Sequence, residues 1–319
     1  MSTMTKVADI PQQILDITAK ELILDYMPRV IFRQFVDYKL QFGTQPGERI
    51  KFTKLDNLPT GDEVLADEDA TIPKHKMTGS EKFVTLIEMG KAVGFSLRAK
   101  TASYWDLMAE AKLVLGRNYQ LVLDQYLRDT FLKTLNKYYV AADSTSGLVP
   151  SDAVGTFNVD TVEALVETAK TLRIPKFQGR NREFYVFVGT PRQLRQLRSN
   201  TNFIEARKYT DPSDMLYGEA GMMSGCVFIE SDRLADLVLS SADLGTAEDV
   251  HRGIFLGANA VGYGESIPMS LIPGSVTPTE ANDFGRKLSI AWHTIAGADI
   301  INDNIIEVFT SAKTPKYNA

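Results

Sequence analysis

Cysteine is almost absent from this chain, since Cys226 is the single one among 319 residues. One thiol excludes an intrachain disulfide and a metal cage built from several thiolates, and it favours a reducing compartment. The chain also lacks an apolar run near the ~18 residues of a membrane span. Residues 1–13 lack the charged, apolar and small-residue zones of a secretion signal. These absences predict a soluble protein made in a cytoplasm.

Motifs that carry chemistry are missing as well. No phosphate-binding loop, dinucleotide fingerprint, nucleophile elbow or zinc-protease motif is present. The histidines, His75, His251 and His293, are too scattered to show ligand spacing. Cys226 opens an apolar strand pattern, where a free cysteine usually behaves as a small buried hydrophobe. No cofactor or metal is predicted, and an α+β hydrolase using Cys226 or a histidine stays as the enzyme alternative.

The charge balance argues against a protein that grips nucleic acid over a broad surface. The formal net charge is −5, whereas phosphate neutralisation requires a wide basic face. A local basic face is still present, because Arg192, Arg195 and Arg198 recur at a spacing of three on one predicted helix. Asp67, Glu68 and Asp69 lack the ligand alternation of a calcium loop, so we interpret them as a solvated charge run.

Residues 41–98 have the character of a β-hairpin arm. Glycine and proline punctuate short β-type runs at 49–52 and 82–87. Residues 62–78 are highly charged and poor in large apolar side chains, so they cannot bury much surface against their own chain. The pattern therefore predicts a long hairpin that projects from the body.

The remaining elements alternate irregularly and predict an α+β fold. A strong helical period runs from an N-cap at Ser103 to Lys137. A second helix is expected to begin at an Asp160–Glu163 capping box, and Thr190-Pro191 is expected to start a third that ends near Ser199. Glycines between 218 and 225 predict a tight corner. Strands are predicted at 183–188, 226–230, 253–260, 287–295 and 304–310, the last two forming a hairpin around 297–302.

The order of these features resembles the major capsid protein family of tailed bacteriophages, in particular the N4-like podophage branch. The likeness spans residues 40–313 and begins with the arm segments, which precede the long helix. Further similar segments follow downstream. The segments that carry the resemblance are 46–52, 65–68, 87–93, 191–197, 216–230, 255–257 and 283–286 with Ala291-Trp292.

The resemblance implies the Johnson fold of tailed-phage capsids. The expected parts are an N-terminal arm (1–40), an extended loop (41–98), a peripheral domain with a spine helix (99–141), an axial domain (142–285), and return strands of the peripheral domain with a C-terminal tail (286–319). The implied function is a structural subunit that self-assembles into an icosahedral virion shell in the host cytoplasm. Implied partners are further copies in hexamers and pentamers, a scaffolding protein, a portal protein, a decoration protein and non-specifically held DNA.

Contact between copies is the expected role of the charged residues. The expected contact residues are Lys54, Asp67, Glu68, Asp69, Arg192, Arg195 and Arg198. The hypothesis places the acidic run Asp67 to Asp69 against a basic face formed by the three arginines of an adjacent copy. A nanocompartment shell that encloses enzymes, related to encapsulins, shares the same fold and stays open as an alternative.

Overall fold

A computed structural model describes residues 30–40, 48–61, 71–72, 74–103, 106–141, 146–147, 149–179, 182–200, 219–274, 277–278 and 280–312. The strands are β1 Val36–Leu40, β2 Arg49–Leu55, β3 Gly79–Thr85, β4 Ile87–Ser96, β5 Lys137–Val140, β6 Ser146–Gly147, β7 Phe177–Gln178, β8 Glu183–Gly189, β9 Glu219–Met223, β10 Cys226–Glu230, β11 Val250–Leu256, β12 Val261–Pro273, β13 Lys287–Ile300 and β14 Ile305–Ser311. The α-helices are α1 Leu97–Ala102, α2 Leu107–Phe131, α3 Val159–Thr171, α4 Pro191–Arg198 and α5 Ser241–Leu244. Short 3-10 helices lie at Phe32–Phe35, Pro150–Asp152, Ala235–Leu237 and Glu280–Asn282.

The strands form two large sheets and one hairpin. The first sheet has the order β1-β12-β13-β4, and the eight-stranded sheet has the order β6-β5-β14-β11-β8-β10-β9, with β7 paired to β8. Strands β2 and β3 form a separate two-stranded sheet. Parallel pairs (β1 with β12, β8 with β10, β5 with β14) occur among antiparallel ones. The helices and this mixed set of parallel and antiparallel strands confirm the predicted α+β class.

The spine helix α2 has 25 residues, which at 1.5 Å per residue makes it about 37 Å long. The prediction was right about the helix and wrong about both ends. Asp106, not Ser103, is the N-cap, and its side chain accepts a hydrogen bond from Met108 N at 3.0 Å. At the other end the chain leaves the helix after Phe131, because Lys137–Val140 joins β14 in the eight-stranded sheet.

Two hydrophobic clusters hold the body together. The larger one joins α2 to both large sheets and includes Leu115, Leu127, Val186 and Tyr263. The second cluster covers the opposite face of the eight-stranded sheet with the apolar stripes of α3 and α4. Both faces of that sheet are therefore buried, and α4 is held on it as a fixed platform.

Two local predictions were wrong. Strands β13 and β14 do not form a hairpin, because β13 pairs with β12 and β4 whereas β14 pairs with β11 and β5. Helix α3 is capped by Asn158, whose Oδ1 accepts from Thr161 N at 2.8 Å, and not by Asp160. By contrast, the glycine corner is present, since Ser224 and Gly225 at positive φ turn β9 into β10.

The division into domains stays a prediction. Strand β4, inside the predicted extended loop, pairs with β13, and β12, inside the predicted axial domain, pairs with both β1 and β13. Sheet membership therefore crosses the boundaries expected at residues 98 and 285. Strand pairing alone, however, does not define the domains of an assembled subunit.

Candidate functional site

The arm is an antiparallel hairpin, as the sequence predicts. Its two strands are in register from Arg49 opposite Thr85 to Leu55 opposite Gly79. Beyond that ladder, the described residues 56–61 and 74–78 are all exposed. The hairpin therefore has a paired base and a distal part that gains little burial from its own chain.

The base of the hairpin is anchored on the first sheet. Ile50, Phe52 and Val84 are buried in a small cluster with Leu86 and Ile301 as partly buried neighbours. Because this cluster is separate from the two main ones, it fixes the root of the hairpin without extending the body's core.

Glycines on the first sheet allow this close approach. A Cβ on Gly297 would collide with the backbone oxygen of Thr85, and a Cβ on Gly264 would collide with Ile50 Cδ1. The two glycines lie opposite each other in the β12–β13 ladder. Because these two positions carry no side chain, β2 and β3 can lie directly on the sheet.

Apolar side chains remain exposed along the hairpin. Burying a large aliphatic or aromatic side chain contributes about 1.5–3 kcal/mol, so leaving several in water is unfavourable. A contiguous exposed apolar surface marks an interaction site. The side chains that are more than half exposed are Leu55, Leu58, Ile72, Met77 and Phe83.

The predicted basic face lies on α4. Thr190 and Gln193 form a capping box that starts this helix, as the Thr-Pro signal predicts. Arg198 forms an ion pair with Glu230 of the same chain, and both side chains are partly exposed. Its charge is therefore already compensated within the subunit.

Arg192 and Arg195 differ from Arg198. Both line an open pocket of about 490 Å³. Within the part of the chain that the structure describes, neither guanidinium has an ion pair or a hydrogen bond. The two guanidinium groups outweigh the one carboxylate that lines the same opening, Glu248, so the opening is suited to anionic partners. The other lining residues are Thr156, Gln196, Ser199, Glu248 and Ala312.

The acidic partner of this face is not placed by the structure. Asp67, Glu68 and Asp69 lie outside the described residues, and Lys54 is exposed on β2. The structure thus brings Arg192 and Arg195 together, directs Arg198 to Glu230, and leaves the contact between copies as a prediction.

Buried hydrogen bonds keep α4 in place. Gln193 Nε2 donates to Thr310 Oγ1 at 2.8 Å and to the His251 carbonyl oxygen at 3.3 Å. Thr190 Oγ1 lies 3.2 Å from His251 Nδ1. Burial lowers the pKa of His251, with Arg192 acting in the same direction and Asp249 opposing it. His251 is therefore a neutral structural residue under the helix.

The residues of the enzyme alternative are poorly placed for catalysis. Cys226 is fully buried, and burial raises the pKa of its thiol far above the ordinary value. His75 is exposed, and His293 Nε2 lies 2.7 Å from Glu88 Oε1 on the sheet surface. In the described ranges no three metal-binding side chains cluster, and no helix there has the length and apolar character needed to cross a bilayer.

One polar cluster was not predicted. Tyr38 Oη donates to Glu265 Oε2 at 2.5 Å, and Tyr119 Oη lies 3.5 Å from the other carboxylate oxygen. Burial, and to a lesser extent the neighbouring Glu265, raises the pKa of Tyr38 to about 12. The cluster ties β1 to both β12 and the spine helix. Tyr38 and Tyr119 lie 227 and 146 positions away from Glu265, so no local sequence signal could have identified the cluster.

A buried ion pair joins β11 and β14. Glu307 is fully buried, and its Oε1 accepts from Arg252 Nε at 2.6 Å. Burial raises the pKa of Glu307, whereas the neighbouring Arg252 lowers it. Arg252 also lies over the Phe309 ring, with 5.6 Å between the guanidinium carbon and the ring centre. The pair holds the middle of the eight-stranded sheet.

Comparisons with known proteins agree on one class. The family model described as phage capsid protein matches residues 128–307. No curated protein sequence matches the chain. The capsid of Ralstonia phage GP4 superposes with a TM-score of 0.73 at 17% identity, covering 100% of both chains. The capsid of cyanophage Pam1 gives 0.72 at 13% identity, covering 93% of this chain and 96% of that one. The head of Helicobacter pylori bacteriophage KHP40 gives 0.69 at 14% identity and 97% of each.

These solved structures establish the fold, and the family model establishes the class. The narrower resemblance to the N4-like podophage branch stays a prediction. The family model matches more than half of the chain. This protein therefore belongs to the phage capsid protein family, and it is a structural shell subunit with the Johnson fold of tailed-phage major capsid proteins.

Proposed function

We propose that copies of this protein assemble as hexamers and pentamers into the icosahedral shell, with each hairpin docked on an adjacent copy. The observation that carries the proposal is the apolar surface of the hairpin, which its own subunit leaves exposed. A second copy can bury this surface, and many modest contacts repeated by symmetry add up to a stable shell.

Other partners follow from the same role. A scaffolding protein would direct assembly in the host cytoplasm, a portal protein would occupy one vertex, and a decoration protein would bind the outer face. Packaged DNA would be confined without specific contacts, as the net charge of −5 suits a wall that does not grip phosphates. The nanocompartment alternative shares the fold, and the family match is to phage capsids.

The direct test is to purify the full chain and to examine it alone and with the scaffolding protein. Negative-stain microscopy and size-exclusion chromatography should show shells or capsomers. A stable small oligomer with hydrolytic turnover would instead support the enzyme alternative and contradict the proposal.

Charge reversal tests the proposed contact between Arg192 and Arg195 and the acidic run. Replacing both arginines by glutamate should raise the protein concentration needed for assembly by up to about fivefold per lost pair, since exposed ion pairs contribute about 0.2–1 kcal/mol each. Light scattering at several salt concentrations measures the change, which should shrink as salt screens exposed charges.

Rescue distinguishes this contact from general electrostatics. Adding Asp67→Arg and Asp69→Arg to the double variant should restore assembly. Lys170→Glu, which reverses a single charge on the exposed side of α3, is the control and should assemble like the wild type. Failure of the rescue together with an intact control would remove the acidic run as the partner.

A further inference from the structure

The loop between β12 and β13 has an unusual backbone. Asp283, Phe284 and Gly285 follow one another at φ values of 53°, 53° and 86°. Aspartate and glycine tolerate this left-handed region, but a bulky aromatic residue there is an outlier because its Cβ crowds the backbone. The strain at Phe284 therefore needs an explanation.

The other strained positions have local explanations. Among the described residues, the remaining non-glycine positions with positive φ are Arg173, Ser224 and Asn259. Arg173 follows the end of α3, Ser224 precedes Gly225 in the β9–β10 turn, and asparagine is the residue type that most readily adopts this conformation. Phe284 likewise precedes a glycine and follows a short helix, Glu280–Asn282, but it is the one aromatic residue among these four positions.

Hydrogen bonds hold the loop in this shape. Asn282 Oδ1 accepts from Gly285 N at 2.9 Å, and Asn282 Nδ2 donates to the Thr277 carbonyl oxygen at 2.6 Å. Arg286 N donates to the Asp283 carbonyl oxygen at 3.1 Å. These hydrogen bonds fix the backbone of the loop in a conformation that leaves the Phe284 ring exposed.

Phe284 is 73% exposed, the highest value among the aromatic side chains that the structure shows as exposed. Leu97, whose backbone amide donates to the Arg286 carbonyl oxygen, is also exposed, and Asp283 and Arg286 form an ion pair beside them. An apolar centre with charged neighbours is the arrangement of an interface anchor, in which an aromatic side chain fills a pocket of the partner.

The position of the loop indicates the partner. Gly264 and Gly297, which support the hairpin, lie at one end of the β12–β13 pair, and the loop lies at the other end, about 30 Å away at ~3.3 Å per residue. A subunit that contacts neighbours at both ends of a rigid strand pair can extend an assembly, whereas a single contact surface yields only a closed pair.

We infer that Phe284 is an anchor residue that inserts into an apolar pocket of a second copy of this chain, and that the strained loop exists to present it. The inference rests on the proposed function and adds a contact separate from the hairpin. Strain that persists in a folded protein is stored where function requires a fixed geometry.

The variant Phe284→Asn tests this inference because asparagine accepts the left-handed backbone but removes the ring. The unassembled subunit should melt at a temperature no lower than that of the wild type. Assembly should require about tenfold more protein, the effect of losing one anchor side chain. Phe284→Tyr, which keeps the ring, should assemble at wild-type concentrations. Leu135→Asn is the matched control, since Leu135 is 94% exposed on an unstrained backbone.

The outcomes separate this inference from the proposed function. Wild-type protein that forms no shells would overturn the proposed function. Wild-type shells together with Phe284→Asn shells at the same concentration would overturn only the anchor. Normal shells of Phe284→Asn that no longer bind a decoration or scaffolding protein would also overturn it, because the partner would then not be a second copy.

Discussion

Replacing Arg252 by alanine is expected to lower the free energy of unfolding by about 3 kcal/mol or more, because it leaves a buried carboxylate without its cation. Glu307 is completely inaccessible to solvent, and Arg252 is only 21% exposed. Glu307 Oε2 has no hydrogen bond in the described part of the structure. The substitution also removes the contact of the guanidinium with Phe309. Urea unfolding of the unassembled subunit measures the effect.

The loss should depend on pH in a defined direction. Burial raises the pKa of Glu307 and Arg252 opposes that rise, so removing Arg252 raises the pKa further. A group whose pKa is higher in the folded than in the unfolded state contributes stability at low pH and loses it as the pH rises through the folded-state pKa. The variant should therefore be less impaired at about pH 5 than at about pH 8.

Arg198→Ala is the matched control, because it also removes the cation of an ion pair. Arg198 and Glu230 are each 40% exposed, so water can solvate the remaining carboxylate. We expect a loss of less than about 1 kcal/mol. Equal losses for the two arginine variants would contradict the claim that burial of Glu307 determines the cost. The double variant Arg252→Met with Glu307→Met should recover much of the loss, since it leaves no unpaired charge.

The elements with strong local signals were predictable. The alternation of Ile50 and Phe52, bounded by glycine and proline, identified the hairpin, and the Thr190-Pro191 pair identified the start of α4. These signals depend on backbone preferences and on periodicity within a few residues. The elements that these signals predict therefore form in the folded protein wherever tertiary contacts do not oppose them.

The sheet to which each of the last two strands belongs was less predictable. The final strand, Ile305–Ser311, is buried at every position, whereas Lys287–Ile300 begins with alternating exposed and buried residues. A strand covered on both faces reads as a near-continuous apolar run, whereas a strand covered on one face alternates between apolar and polar residues. The near-continuous apolar run from Ile305 to Phe309 was a usable signal against the predicted hairpin.

The candidate site was only partly predictable. Arginines at a spacing of three on α4 identified the basic face, but Arg198 pairs with Glu230, which lies 32 positions away. Phe284 lies in the segment 283–286, which contributes to the resemblance, but no sequence signal marks its conformation, because a phenylalanine in a loop does not reveal its backbone angles. Ion pairs and strain depend on the three-dimensional arrangement, so the sequence alone could not distinguish these residues from ordinary surface positions.

Deleting residues 61–78 should abolish shell assembly and leave the body folded. The ladder of β2 and β3 and the buried cluster of Ile50, Phe52 and Val84 lie outside the deletion. The described residues inside it are exposed, and they include the apolar side chains of Ile72 and Met77. Among the described residues, the deletion therefore removes the distal part of the surface proposed to dock on a neighbouring copy, leaves Leu55, Leu58 and Phe83 in place, and takes away no buried side chain.

Negative-stain microscopy and urea unfolding test the two halves of this expectation. The deletion variant, closed by a short glycine-containing turn, should unfold with a midpoint close to that of the wild type and form no shells with scaffold present. A variant that keeps the full length but carries Ile72→Ser and Met77→Ser is the milder companion, and it should raise the concentration needed for assembly. Intact particles from the deletion variant would refute docking through the distal part of the hairpin, since Leu55, Leu58 and Phe83 are the only large exposed apolar side chains of the described hairpin that the deletion keeps.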